Sequence, residues 1–132
     1  MLKVLIIDDD SIVLFIQEKM LKKYGITDAP ISFQDARKAI DFLKIQKSGD
    51  IFLILLDINM PGMNGWDVLD VIREMEISEK VFVFMVTSSI DNYDKEKAKN
   101  YKNVISFIEK PISVDNCIKI KEHPELKPYL LD

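Results

Sequence analysis

Four apolar runs in this chain end in groups capable of polar chemistry. KVLII (3–7) leads into Asp8, Asp9 and Asp10, IFLILL (51–56) into Asp57, VFVFMV (81–86) into Thr87 and Ser88, and VISFI (104–108) into Glu109, Lys110 and Pro111. An aspartate after a strand often caps the next helix, and Asp10 or Ser11 suits that role. Asp8, Asp9 and Asp57 ask for another explanation. Two carboxylates about 4 Å apart repel by roughly 4 kcal/mol at an effective dielectric of 20, so gathering several without a cation is unfavourable. A metal ion removes that cost. Every candidate side-chain ligand is an oxygen donor, which points to a hard cation such as Mg²⁺ that keeps several waters and uses only one or two carboxylates. Three carboxylates then face one divalent ion and the ammonium of Lys110.

These residues converge only if the runs are neighbouring strands of one sheet. A fifth, weaker run, APISF (29–33), completes the set. The runs at 51–56 and 81–86 are continuously apolar, as expected for strands covered on both faces. Polar stretches of helical length separate the runs, and strands alternating with helices make a parallel sheet. In such a sheet ligands bind beyond the carboxyl ends of the strands. The helix expected over Ser11 to Tyr24 presents Val13, Ile16, Met20 and Leu21 near helical spacing, with Gly25 to end it. Ala36, Ala39, Ile40 and Leu43 repeat the pattern before Ser48 and Gly49. Trp66, Leu69, Val71 and Ile72 suggest a third helix, entered through the turn formers Met60-Pro61-Gly62 and Asn64-Gly65. The fourth, around Asp91 to Asn100, is highly charged and poor in apolar anchors, so it should be the least firmly held. The fifth starts near Ser113 and must stop or bend at Pro124. The expected architecture is an α/β doubly wound, five-stranded parallel sheet with helices on both faces.

Length and composition agree. The 132 residues, 48% hydrophobic, fit one domain with one conventional core. A net charge of -4 and a pI near 5.1 argue against a polyanion-coating function, so no direct nucleic-acid contact is expected. The amino-terminal apolar run is short and meets acidic residues at once, unlike a signal peptide or spanning helix, and the expected compartment is the cytoplasm. Cys117, the single cysteine, reads as a small core residue, and His123 as an ordinary exposed side chain. Lys95, Lys97, Lys99 and Lys102 alternate with Asp91, Asp94 and Glu96, which reads as a solvated face.

The ordered set IIDDD (6–10), LLDINMPGMNG (55–65), MVTSS (85–89) and EKP (109–111) resembles the receiver domain family of two-component signalling, over nearly the whole chain. The resemblance implies a flavodoxin-like, CheY-like (βα)5 fold, a receiver domain over 1–123, and a short tail over 124–132 with no output domain. It implies that Asp57 is the phosphoacceptor, that Asp9 binds Mg²⁺ directly and Asp8 mainly through water, and that the backbone carbonyl of Asn59 is a further ligand. Thr87 and Lys110 would contact the phosphoryl oxygens. Thr87 would move toward the new charge and Phe107 would turn inward behind it, altering the surface of the fourth helix, fifth strand and fifth helix. Phe107 lacks the hydroxyl of the tyrosine often found there, which removes one hydrogen bond to a partner. The chemistry suits the residue types, since a carboxylate whose charge is offset by cations is a competent nucleophile for phosphoryl transfer. The implied donor is a sensor histidine kinase or phosphotransfer protein, the output a protein target, and the chain a signalling module rather than an enzyme.

Three other readings fit less well. A haloacid dehalogenase phosphatase also places an aspartate nucleophile after a strand, but usually carries an aspartate two residues later, where this chain has Asn59, and a cap domain has no room. A flavodoxin-type flavin carrier needs a glycine- and hydroxyl-rich phosphate loop where this chain has Asp8 to Asp10. A receiver that binds partners without phosphorylation does not require the intact set Asp8, Asp9, Asp57, Thr87 and Lys110.

Overall fold

A computed structural model describes residues 1–47 and 49–130. Five strands, β1 (Leu2–Ile7), β2 (Ile31–Phe33), β3 (Ile51–Asp57), β4 (Val81–Thr87) and β5 (Val104–Glu109), form one parallel sheet in the order β2-β1-β3-β4-β5. Helices α1 (Ser11–Lys23), α2 (Ala36–Lys44), α3 (Gly65–Ile72), α4 (Asn92–Ala98) and α5 (Val114–Glu122) connect them. The doubly wound α/β sheet and its five expected strands are therefore present.

The apolar runs sort into two layers by the two-residue period of a strand. Phe52, Ile54 and Leu56 of β3 point into the layer shared with α2, α3 and α4, while Leu53 and Leu55 point into the layer shared with α1 and α5. This explains why β3 reads as unbroken hydrophobicity: all seven of its residues are buried. Burying each such leucine or isoleucine contributes roughly 1.5–3 kcal/mol. Between Val83 and Phe84 the β4–β5 register shifts, so Val104 faces Val83 and Ser106 faces Phe84. The extra residue, Ile105, changes the alternation of β5 and lets both Val104 and Phe107 pack on the α4 side.

Each helix start has a chemical cause. Asp10 Oδ1 accepts from Ile12 N at 2.9 Å and caps α1, Asp35 caps α2, and Asn64 with Asp67, and Ser113 with Asn116, form reciprocal capping boxes on α3 and α5. α2 buries the four expected residues, Ala36, Ala39, Ile40 and Leu43. Ser48, expected beside Gly49 to break that helix, lies outside the described residues.

Two expectations need correction. The inner face of α1 is Leu14, Gln17 and Leu21, whereas Ile16 is 41% exposed. Five consecutive apolar residues, Ile12 to Ile16, give the helix little directional signal, and packing chooses the face. His123 is half-buried rather than exposed: its ring meets Phe84 edge-on at 5.9 Å and its Nδ1 accepts from Glu125 N at 3.1 Å. The chain then turns back after Pro124 and sends Leu126, fully buried, into the layer with Cys117 and Ile120. The described part of the expected tail, through Leu130, thus covers the end of the core.

Candidate functional site

Parallel pairing brings the carboxyl ends of β1, β3, β4 and β5 to one edge. In register, Ile7 lies beside Leu56, Asp57 beside Val86, and Thr87 beside Glu109. Asp8, Asp57, Thr87 and Lys110 therefore meet, although they are spread along the chain from position 8 to position 110. Lys110 N donates to Thr87 O at 2.8 Å and Ile58 N to Val86 O at 3.0 Å, stapling these ends together. The Lys110–Pro111 peptide is cis.

Carboxylate oxygens of Asp8, Asp9 and Asp57 all lie within 4.8 Å of one another. Asp8 and Asp57 are almost wholly buried, and Asp9 is exposed. Asp8 Oδ1 accepts from Asp10 N at 2.9 Å, which turns the acidic loop back on itself. Lys110 Nζ stands 2.8 Å from Asp8 Oδ2 and 3.3 Å from Asp57 Oδ1, and Asn59 N donates to the same Asp57 oxygen at 3.3 Å. Burial pushes the Asp57 carboxyl above its ordinary value, the charge of Asp8 adds to this, and Lys110 opposes it. Lys110 is lowered by burial, but contact with Asp8 and Asp57 outweighs that and holds it above the ordinary lysine value.

These residues fit a divalent cation. Asp8 Oδ2 is sealed from solvent and receives no well-aligned hydrogen bond; the Lys110 ammonium is its ionic partner. A buried oxygen in that condition has a free lone pair toward the cluster. The donor set is oxygen throughout, and a single ammonium against three carboxylates leaves the cluster negative.

Thr87, buried at the end of β4, donates its hydroxyl to Ser89 O at 3.2 Å and accepts from Ser89 N at 3.4 Å. Phe107 is half-buried on β5 opposite Met85, packed against the layer that includes Ala98 and Tyr101. Asn59 is exposed directly after Ile58. The structure thus gathers Asp8, Asp9, Asp57, Thr87 and Lys110 at one edge, with Asn59 adjoining Asp57.

Sequence reasoning missed several neighbours. Gln34 Nε2 donates to Asp9 O at 3.3 Å, and Glu109 Oε1 accepts from Ile90 N at 3.2 Å. Gly65 reads in the sequence as a turn former, yet positive φ is confined to Gly25, Gly49 and Gly62 among the described residues. Gly65 instead makes room: Gly65 N donates to Ile58 O at 2.9 Å, so the first turn of α3 touches the end of β3. Its place at the first position of a helix, where glycine has no conformational advantage, was the available signal. Lys97, expected on a solvated face, is half-buried with its ammonium 5.0 Å from the Trp66 ring centroid.

Residues 4–121 match the response regulator receiver domain family. The probable methanogenesis regulatory protein FilR2 of Methanothrix harundinacea is 27% identical over 132 residues, spanning 97% of this chain and 83% of that protein. A stretch of hybrid signal transduction histidine kinase L of Dictyostelium discoideum is 36% identical over 83% of this chain, and makes up 6% of that kinase. The crystal structure of a response regulator receiver protein from Dyadobacter fermentans superposes with a TM-score of 0.81 at 30% identity, covering 92% of this chain and 96% of that one. Among the described residues no helix is long and apolar enough to cross a membrane.

Proposed function

We propose, from the premise that this chain belongs to the response regulator receiver domain family, that Asp57 accepts a phosphoryl group and that the modification switches a protein-binding surface. The observation that carries this reading is the buried Asp57 carboxylate facing both Lys110, at 3.3 Å, and the Asp8–Asp9 pair. Receiver domains bind Mg²⁺ at such an acidic pocket; here Asp8, Asp9, Asp57 and the Asn59 carbonyl are the groups that would hold it. The ion would supply charge neutralisation for the donor's phosphoryl oxygens.

In the proposed step an Asp57 carboxylate oxygen forms the new bond to phosphorus while the bond to the donor's leaving atom breaks in line. Lys110, ion-paired to Asp57 beforehand, is placed to follow the charge onto the phosphoryl oxygens, and Thr87 can exchange its bond to Ser89 O for one to the same group. The product is an acyl phosphate that water hydrolyses, so the state is transient. Receivers act with histidine kinases and phosphotransfer proteins, and the resemblance of this chain to a segment of a hybrid histidine kinase supports that donor class. A partner protein would read the α4–β5–α5 surface.

The test is mass spectrometry after incubation with acetyl phosphate and Mg²⁺. One base-labile phosphate should appear at Asp57 and be lost in Asp57→Asn. Equal modification of that variant would remove Asp57 from the role.

A further inference from the structure

α4 is seven residues long and buries one side chain of its own, Ala98. Its two ends are nevertheless held very differently. Just beyond the C-terminal end, Tyr101 is buried and its ring lies 5.6 Å from that of Trp66, the second residue of α3. The Tyr101 hydroxyl donates to Asp70 at 2.7 Å. Arg73 pairs with the same Asp70 oxygen at 3.1 Å and sits 4.8 Å from the Tyr101 ring centroid, while Lys97 lies over Trp66. Burial of two large aromatic rings, a hydrogen bond to a charged acceptor and two cation–ring contacts all fasten this end of α4 to α3.

The N-terminal end has no comparable attachment. Ser88 and Ser89 are exposed, and Asp91 caps the helix from within, its side chain accepting from Asp94 N at 2.8 Å. Among the described residues, 88–94 is tied to neighbouring elements by Ile90 N donating to Glu109 at 3.2 Å and by the two bonds of Ser89 to the Thr87 hydroxyl, the very group proposed to move. This weakly held end adjoins Thr87. The fastened end is referenced to the reacting edge by a separate route, because Trp66 follows Gly65, which packs on the Asp57 carbonyl.

We propose that α4 is a lever pinned at its C-terminal end, with Trp66, Asp70 and Tyr101 as its fulcrum, whose free N-terminal end moves when the state of Asp57 changes. The trigger rests on the phosphorylation reading above; the fulcrum does not. A pinned lever turns a small displacement at Thr87 into a tilt of a helix about 10 Å long, changing the exposed surface without detaching it. Trp66 and Tyr101 are then positioning residues for the output surface.

Amide hydrogen exchange by NMR on the full chain tests both halves. Lys95 N bonds to Asp91 O at the free end, and Tyr101 N bonds to Ala98 O at the pinned end, so both amides are hydrogen-bonded and differences report opening. In the free protein the Tyr101 amide should exchange at least about tenfold more slowly than that of Lys95. Tyr101→Phe, which keeps the ring but not the hydroxyl, and Asp70→Ala should each reduce that ratio by about tenfold, whereas Asp70→Asn, which keeps an acceptor, should retain most of it. Beryllofluoride with Mg²⁺, standing in for the phosphoryl group, should change the amide exchange of residues 88–94 and leave that of 97–101 unchanged in the wild type. In Tyr101→Phe the changes should spread to 97–101. Equal protection at both ends of the free wild type, or variants indistinguishable from it, would overturn the fulcrum. Equal changes in exchange at both ends of the wild type on beryllofluoride binding would overturn the lever. No response anywhere in the chain would overturn the reading of Asp57 and the trigger with it, while unequal protection in the free protein would still establish the fulcrum.

Discussion

A β-carbon on Gly65 would fall 2.6 Å from the carbonyl oxygen of Asp57. It would also come within 3.0 Å of the Ile58 Cα, and both contacts are with backbone, which cannot swing aside as a side-chain tip can. The start of α3 therefore rests directly on the residue proposed to be phosphorylated. Replacing glycine by alanine inside a helix ordinarily gains up to about 1 kcal/mol. Here overpacking, typically about 1–3 kcal/mol, opposes and should exceed that gain. Gly65→Ala should lower the melting temperature by several degrees and slow modification of Asp57 by acetyl phosphate. An unchanged melt would mean that α3 can back away freely.

The acidic cluster links metal, pH and stability. Burial and Asp8 raise the Asp57 carboxyl, so without metal the folded chain holds this proton more firmly than the unfolded chain does. That contribution is present below the unfolded value, about pH 4, and is lost as pH rises through the folded value. In chelator at neutral pH, Asp57→Asn should melt above the wild type, and its advantage should vanish in acid. With Mg²⁺ at tenfold excess over its dissociation constant the wild type should gain about 1.4 kcal/mol. Asp57→Asn and Asp9→Asn should gain less. Equal gains in all three proteins, at fixed ionic strength, would show that these carboxylates do not hold the ion.

Phe107 is half-buried in this structure and shares a layer with Tyr101 and Ala98. If Thr87 moves toward a phosphoryl group, space opens behind it and the Phe107 ring should become more buried with beryllofluoride bound. Side-chain NMR of Phe107 in the two states measures this directly. The same ring position and dynamics in both would make Phe107 a static core residue.

Tyr101 offers a spectroscopic handle on the α3–α4 contact. Burial raises its phenol above the ordinary value, and the hydrogen bond to Asp70 adds to the shift. Its folded-state stabilisation is held below the ordinary phenol pKa, about 10, and lost as pH rises through the higher folded value. Absorbance titration near 295 nm should show one tyrosine of the four ionising late, and Tyr101→Phe should abolish that late step. A late step that persists would belong to another tyrosine.

The strand runs, the cap at Asp10, the helix start near Ser113, and the placement of Asp8, Asp57, Thr87 and Lys110 at strand ends were readable from the sequence, because each depends on periodicity or on local hydrogen bonding, whereas the caps at Asp35 and Asn64 emerged with the structure. Those signals are short-range: an apolar run of the right length, then a polar residue where the backbone must turn. What the tertiary structure alone decided depends on which surfaces meet. Ile12 to Ile16 offer apolar groups around most of a turn, so only packing could leave Ile16 exposed and turn Gln17 inward. The register shift at Val83–Phe84 decides that Val104 and Phe107 share a face, and no residue type in VISFI announces it. Lys97 looks like one more solvated lysine until Trp66 lies beneath it, and nothing in the sequence singles out Tyr101, whose hydroxyl Asp70 accepts. The sequence by itself therefore determined the candidate reacting groups and the sheet edge that carries them. The attachment of α4, on which the proposed output depends, is made of long-range side-chain contacts, which carry no period along the chain and exist only once α3 and α4 are packed together.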